Sequence, residues 1–140
     1  MNTAEQASRK PIPQPDDASR PFFDGARRGV LMIERCLECQ VYLAPGSFVC
    51  SECLGDRLEW VQASGRGTLF TFAIMHQRYH PGFAAELPYN IAVVELEEGP
   101  RLNTSIVGVR NEDLRVGIPL LVTFEQLSAE VSLPKFRSAG

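Results

Sequence analysis

Four cysteines form the strongest chemical signal in the chain, and they fall in two pairs. Two residues separate Cys36 from Cys39 and Cys50 from Cys53, and ten residues lie between the pairs. A C-x2-C turn can direct both sulfur atoms at one point, so two such turns supply four thiolates to one tetrahedral site. Thiolates favour zinc or iron over hard cations. The spacing therefore predicts a zinc site, with iron as the alternative metal.

The predicted metal is structural, because four thiolates complete the coordination shell and leave no position for water or substrate. The surrounding segment, residues 34–59, carries five acidic residues against two arginines and few large apolar ones. A segment of this size buries too little surface to fold alone. Metal binding, worth roughly 10–16 kcal/mol in small zinc domains, can supply the missing stability. Disulfides are disfavoured, since the first twenty residues lack the apolar core of a secretion signal.

A second group of chemically versatile side chains lies in or near a predicted loop. His76, Arg78 and Phe83 offer imidazole, guanidinium and aromatic groups, and Arg66 stands between two glycines. These four are the candidate ligand-binding residues, suited to a nucleotide or to the tail of a thioester. A solvated loop and a simple strand bend at residues 65–67 are the alternatives. Since no nucleophile motif or phosphate-binding glycine loop accompanies them, we predict no catalytic residue.

The pattern of prolines, glycines and apolar residues predicts four regions. Prolines at 11, 13 and 15 favour a flexible tail over residues 1–18. Ser19 as a cap and Gly29 as a stop predict a short helix, which a lead-in strand follows to complete residues 19–33. The metal-binding ribbon occupies residues 34–59. Residues 60–140 alternate β-rich runs with turns, which is typical of a small closed barrel.

Five segments of the last region are predicted strands. They are residues 68–76, 89–96, 101–107, 120–125 and, more weakly, 129–133. A long loop over residues 77–88 separates the first two of these strands. No helix-length periodic segment interrupts the series, so a parallel α/β sheet is disfavoured.

The composition is that of a soluble globular protein. The 140 residues are 44% hydrophobic and 22% charged, and 14 basic residues face 17 acidic ones for a net charge of −3. That balance weighs against binding to a phosphate backbone. No apolar run approaches the roughly 18 residues of a membrane helix. We therefore expect a cytoplasmic protein that binds neither membranes nor nucleic acid.

The chain resembles the acyl-CoA-associated OB-fold proteins that carry an N-terminal rubredoxin-like zinc ribbon, a family long classed as a domain of unknown function. The resemblance extends from Pro21 to Arg137. The motifs that carry it are Pro21–Gly25, the two cysteine pairs, Leu58–Trp60, Ser64–Thr68, Pro88-Tyr89, Val94–Gly99 and Leu133–Arg137. It implies a mainly β protein with a short helix, the ribbon and a five-stranded OB-fold barrel. Gln40 departs from the family pattern, because a glycine commonly follows the first cysteine pair, and we expect a more strained turn there.

The resemblance also implies a function. Members of this family act as non-catalytic accessory or scaffold proteins that bind a CoA thioester, support a partner enzyme, or do both. The implied partner is a thiolase-like enzyme of the lipid-transfer-protein type or a MaoC-type hydratase, in lipid, polyketide or steroid metabolism. The alternative is a single-stranded nucleic-acid-binding module, because OB-folds and zinc ribbons also serve that purpose. The net negative charge disfavours this alternative.

Overall fold

The computed structural model describes residues 9–140, and residues 1–8 of the predicted tail lie outside that range. In the described range, one α-helix, α1 (Arg20–Arg27), precedes eight strands. The strands are β1 (Met32–Cys36), β2 (Tyr42–Leu43), β3 (Leu58–Gln62), β4 (Arg66–Met75), β5 (Tyr89–Leu96), β6 (Arg101–Thr104), β7 (Pro119–Gln126) and β8 (Ser132–Ser138). Short 3-10 helices occupy Pro81–Glu86 and Asn111–Asp113. The predicted mainly β architecture is confirmed.

Helix α1 begins and ends where its sequence signals predict. Ser19 holds the cap position, but its hydroxyl donates to the Asp16 carboxylate at 2.8 Å and forms no bond to a helix N–H. Gly29 follows the last turn with a φ of +76°, a left-handed conformation that glycine adopts without a side-chain clash. The buried Gly25 lies against Met32, where a Cβ atom would come within 2.5 Å of the methionine side chain. The helix can therefore pack directly on β1.

The first sheet has the antiparallel order β2-β1-β3. Strand β1 pairs with β3 along its whole length, from Met32 opposite Gln62 to Cys36 opposite Leu58. Strand β3 therefore crosses the predicted boundary between residues 59 and 60. The sheet and the cysteine turns it carries, residues 32–62, are called the ribbon below.

The second sheet is a curled five-stranded sheet of order β6-β5-β4-β7-β8. Its two edges approach each other at a single parallel bridge between Ile106, just after β6, and Phe136 of β8. Strand β4 pairs with both β5 and β7, and its register with β5 shifts at Phe70. Such a bulge bends a strand, which lets β4 pair with β5 on one side and β7 on the other as the sheet curls. Gly67, which pairs with Leu96 of β5, has no room for a side chain, since a Cβ atom would approach the Glu95 carbonyl oxygen to 2.6 Å.

One hydrophobic core joins the ribbon to the barrel. Leu31, just before the ribbon, and Ile33, within it, are 2% and 0% exposed and belong to the same buried cluster as Leu69, Val94 and Phe136 of the barrel. The core therefore fixes one end of β1, while Cys36 at the other end of that strand belongs to a separate small cluster.

The last strand differs from its prediction. The sequence favours a strand over residues 129–133, whereas β8 spans Ser132–Ser138. The N–H groups of Leu127 and Ser128 both donate to the Val131 carbonyl, so residues 127–131 form a tight turn. Pro134 lies within β8, and it is tolerated because β8 is an edge strand that meets its other neighbour at a single bridge.

No helix within residues 9–140 has the length and apolar character needed to cross a membrane.

Asn90 is predicted to be essential for barrel closure. Its side chain, 6% exposed, donates to the Ile106 carbonyl at 2.9 Å and accepts from the Ile106 N–H at 2.7 Å. Asn90→Ala leaves both backbone groups buried without a partner, so we expect a loss of about 2–4 kcal/mol in the free energy of unfolding. Urea denaturation measures it. Asn103→Ala, at an exposed position of β6, is the control, and equal stability of the two variants would contradict the role of Asn90.

Candidate functional site

The four cysteine sulfurs converge on one point of the ribbon. All four Sγ atoms lie within 4.8 Å of one another. The Cys36–Cys53 separation is 3.6 Å and the Cys39–Cys50 separation is 3.5 Å. Zinc–sulfur bonds of about 2.3 Å place tetrahedral ligands roughly 3.8 Å apart. The thiols therefore fit a four-coordinate metal such as zinc.

Backbone amides prepare these sulfurs for metal binding. The N–H groups of Cys39 and Glu38 donate to the Cys36 sulfur at 3.5 and 3.4 Å and lower the pKa of Cys36 to about 7. The N–H of Val41 favours the Cys39 thiolate, but desolvation and the neighbouring thiols, Cys50 first among them, outweigh that bond. They raise the pKa of Cys39 to about 12. A bound metal would supply the positive charge that lets all four thiols ionise.

Each cysteine pair ends in a residue with left-handed backbone conformation. Gln40, after the first pair, has a φ of +69°, and Leu54, after the second, has a φ of +64°. The strain expected at Gln40 is therefore present, and Leu54 shares it. Arg35 stabilises the first turn, because its guanidinium donates to the Gln40 side-chain oxygen at 2.6 Å and to the Gln40 carbonyl at 3.3 Å.

Two acidic residues that sequence reasoning missed support the ribbon. The Glu34 carboxylate, on β1, accepts from the Ser47 N–H at 2.8 Å and so holds the turn after β2. Burial raises the pKa of Glu34 above its ordinary value. Glu38 forms an ion pair with Arg57 at 3.4 Å, which links the first cysteine turn to the chain before β3. Neither carboxylate has a local sequence signal, because both act on residues distant in the chain.

A groove of about 490 Å³ lies on the barrel beside the 3-10 helix Pro81–Glu86. Phe83 lines it, with its ring 5.8 Å from the Tyr89 ring. Lys10 lies 2.6 Å from the Glu86 carboxylate and 5.5 Å from the Phe83 ring centre, so the N-terminal segment forms one side of the groove. Gly82 makes this approach feasible, since a Cβ atom there would come within 2.5 Å of the Lys10 backbone nitrogen.

Of the four predicted ligand-binding residues, the structure places Phe83 in the lining of the groove. His76 and Arg78 are exposed on the chain that follows β4, and Phe83 lies in the groove after it. Arg66 lies at the opposite end of β4, roughly 30 Å away by strand rise, and forms a 3.7 Å ion pair with Glu97. His80 has a local structural role, because its Nδ1 atom accepts from the Gly82 N–H at 2.9 Å.

The fold and the site together define a class: a metal-binding ribbon joined to an OB-fold barrel. A family model described as "ChsH2, C-terminal OB-fold domain" matches residues 60–125. A DUF35 domain-containing scaffold protein of Methanocaldococcus jannaschii is 30% identical over 97 residues, which are 69% of this chain and 68% of that protein. The chain belongs to the DUF35 family, as its resemblance to the acyl-CoA-associated OB-fold proteins predicts.

Two further relatives extend the similarity. A probable enoyl-CoA hydratase alpha subunit of Thermomonospora curvata is 34% identical over 118 residues, or 84% of this chain. The match covers 36% of that relative, so the chain spans about a third of its length. A solved structure described as an Ltp2-ChsH2(DUF35) aldolase is 32% identical, with a TM-score of 0.80 over 91% of this chain and 99% of the matched chain.

Metal removal is predicted to unfold the ribbon. A strong chelator should lower the melting temperature and abolish bound metal, because the ribbon fully buries few residues other than Cys36 and Cys50. Cys36→Ser should give metal-free or insoluble protein. Plasma mass spectrometry checks the metal content and identity, and Ser51→Ala, which alters no ligand, is the control. Wild-type stability in a metal-free sample would contradict the structural role.

Proposed function

We propose that the protein is a non-catalytic scaffold subunit that binds and supports an enzyme acting on CoA thioesters. The partner is a thiolase-like enzyme of the lipid-transfer-protein type or a MaoC-type hydratase, in lipid, polyketide or steroid metabolism. The observation that carries the proposal is the likeness to the ChsH2(DUF35) chain of an aldolase structure, which extends over 99% of that chain. The hydratase alpha subunit of T. curvata, which contains a matching segment, supports the same role.

The chemistry of the cysteine site agrees with a scaffold. A metal held by four thiolates has no open position at which to polarise a substrate or activate water. A bound metal would supply folding stability here, and Cys36, Cys39, Cys50 and Cys53 would hold it. The partner enzyme would supply the catalytic groups.

The groove beside Phe83 is the proposed binding site for the CoA moiety. Phe83 and Tyr89 provide aromatic faces for an adenine ring. The ammonium groups of Lys10 and Lys135 also line the groove, where they pair with the carboxylates of Glu86 and Glu125. His76 and Arg78 lie on the chain that leads to the groove, where a guanidinium can contact phosphate oxygens. Such a site would hold the thioester while the partner acts on the acyl group.

The partner can be identified by affinity purification of the tagged protein from its native host. We expect a thiolase-like or hydratase-like enzyme in stoichiometric amount, identified by mass spectrometry and confirmed by mixing the two purified proteins. The purified chain without the partner should show no turnover of acyl-CoA substrates. An eluate that contains nucleic acid and no such enzyme would instead support the nucleic-acid-binding module.

CoA binding can be tested by calorimetric titration of CoA into the complex. Phe83→Ala should weaken CoA binding about 10-fold, because loss of aromatic stacking removes roughly 1–3 kcal/mol per base. Phe70→Ala, which removes an exposed phenylalanine of β4 that does not line the groove, is the matched control and should bind CoA like the wild type. Equal affinity of the Phe83 variant and the wild type would place the CoA site elsewhere.

A further inference from the structure

Large apolar side chains surround the cysteine site on the outside of the ribbon. We call these residues the ribbon-tip patch: Leu37, Phe48, Val49 and Leu54. Phe48 is 79% exposed and Leu54 is 77% exposed, and the other two are about half exposed. Each lies within two residues of a ligating cysteine. Because the four sulfurs lie within 4.8 Å of one another, the two turns that carry these residues lie close together.

The amount of exposed apolar surface is unusual for so small a unit. The small core of the ribbon contains Leu43 as its one fully buried residue other than cysteine, together with the partly buried Val41 and Leu58. Single exposed apolar residues are ordinary on protein surfaces, but clusters of them mark interaction sites. In the described part of the chain, nothing packs over Phe48 or Leu54 to reduce their exposure.

The backbone at Leu54 adds an independent argument. Its φ of +64° lies in the left-handed region, where glycine is free of strain and a leucine is not. Leu54 gains no burial in return, since its side chain is exposed. Residues held in strained conformations cluster at binding sites, where the strain serves a contact. A leucine that destabilises the free protein is explained if its side chain is buried in a complex.

The rim of the patch is acidic and unpaired. Glu52, between the two cysteines of the second pair, and Asp56, three residues after it, are exposed and form no ion pair within residues 9–140. Glu38 adds a third carboxylate, which Arg57 partly neutralises. A surface that complements this arrangement has an apolar hollow surrounded by lysine or arginine.

We infer that the ribbon-tip patch is the surface through which this protein binds its partner enzyme, at an apolar hollow with a basic rim. This inference rests on the proposed function, because it takes the thiolase-like or hydratase-like enzyme as the occupant. A metal bound at the four cysteines would then do more than stabilise the fold. It would also fix the two turns that present Leu37 and Leu54 to the partner.

Leu54→Gly tests the inference, because it should raise the stability of the free protein and weaken its binding to the partner enzyme. Relief of backbone strain should raise the melting temperature of the free protein by about 4 °C. Loss of the leucine side chain should weaken binding to the purified partner enzyme about 10-fold or more. Phe48→Ser should weaken binding similarly, with little change in melting temperature because the side chain is exposed.

Gln40→Gly is the matched control. It places glycine at the equivalent left-handed position of the first turn but removes no apolar side chain. It should leave the affinity for the partner enzyme unchanged, and affinity is the readout compared, because the substitution also removes the hydrogen bond from Arg35 to the Gln40 side chain. Calorimetry measures the affinities, and light scattering measures the mass of each protein alone.

The outcomes separate this inference from the proposed function. If the wild type binds the enzyme and both Leu54→Gly and Phe48→Ser bind it equally well, the docking surface lies elsewhere and the scaffold role remains. If the wild type alone is a dimer that these substitutions dissociate, a second copy of the chain occupies the patch and the inference is wrong. If the wild type binds no such enzyme, both proposals fail.

Discussion

The convergence of four thiols on one point is the constraint on which the ribbon depends. Two of the cysteines, Cys36 and Cys50, form most of the ribbon's small core, so the residues that bind the metal also replace the apolar side chains that the segment lacks. Strand β1 connects the cysteine site to the barrel, because Cys36 lies at one end of the strand and Ile33, near the other end, is buried in the barrel core. The barrel core therefore sets the position of the ribbon, and a metal at the cysteines would hold the far end of the ribbon together.

The protein has two surfaces with different chemistry, one on the barrel and one on the ribbon. The barrel offers a groove with aromatic and ammonium groups beside Phe83, and the ribbon offers an apolar tip with an acidic rim. Neither surface brings a nucleophile together with a base in the described residues. A scaffold needs this combination, because it must contact a ligand and an enzyme at the same time while leaving the chemistry to the enzyme.

The features that could be predicted from sequence are those that depend on residues close together in the chain. The cysteine spacing identified the metal site, and Gly29 marked the end of the helix. Features set by contacts between distant segments were missed or misplaced: the Glu34 carboxylate accepts from the Ser47 N–H, thirteen residues away, and the final strand begins later than its apolar pattern indicates. Leu54 could have been found, since it occupies the same position after the second pair as Gln40 does after the first.

On the proposal made above, a metal-dependent ribbon joins this chain to a catalytic partner. Native mass spectrometry of the complex purified from the host tests this claim most directly, because it counts chains and metal ions in one measurement. The account predicts one metal ion for each copy of this chain, together with the enzyme subunit, and dissociation of the two proteins when a chelator removes the metal. An intact complex that persists without metal, or a chain that carries metal but no enzyme, would contradict it.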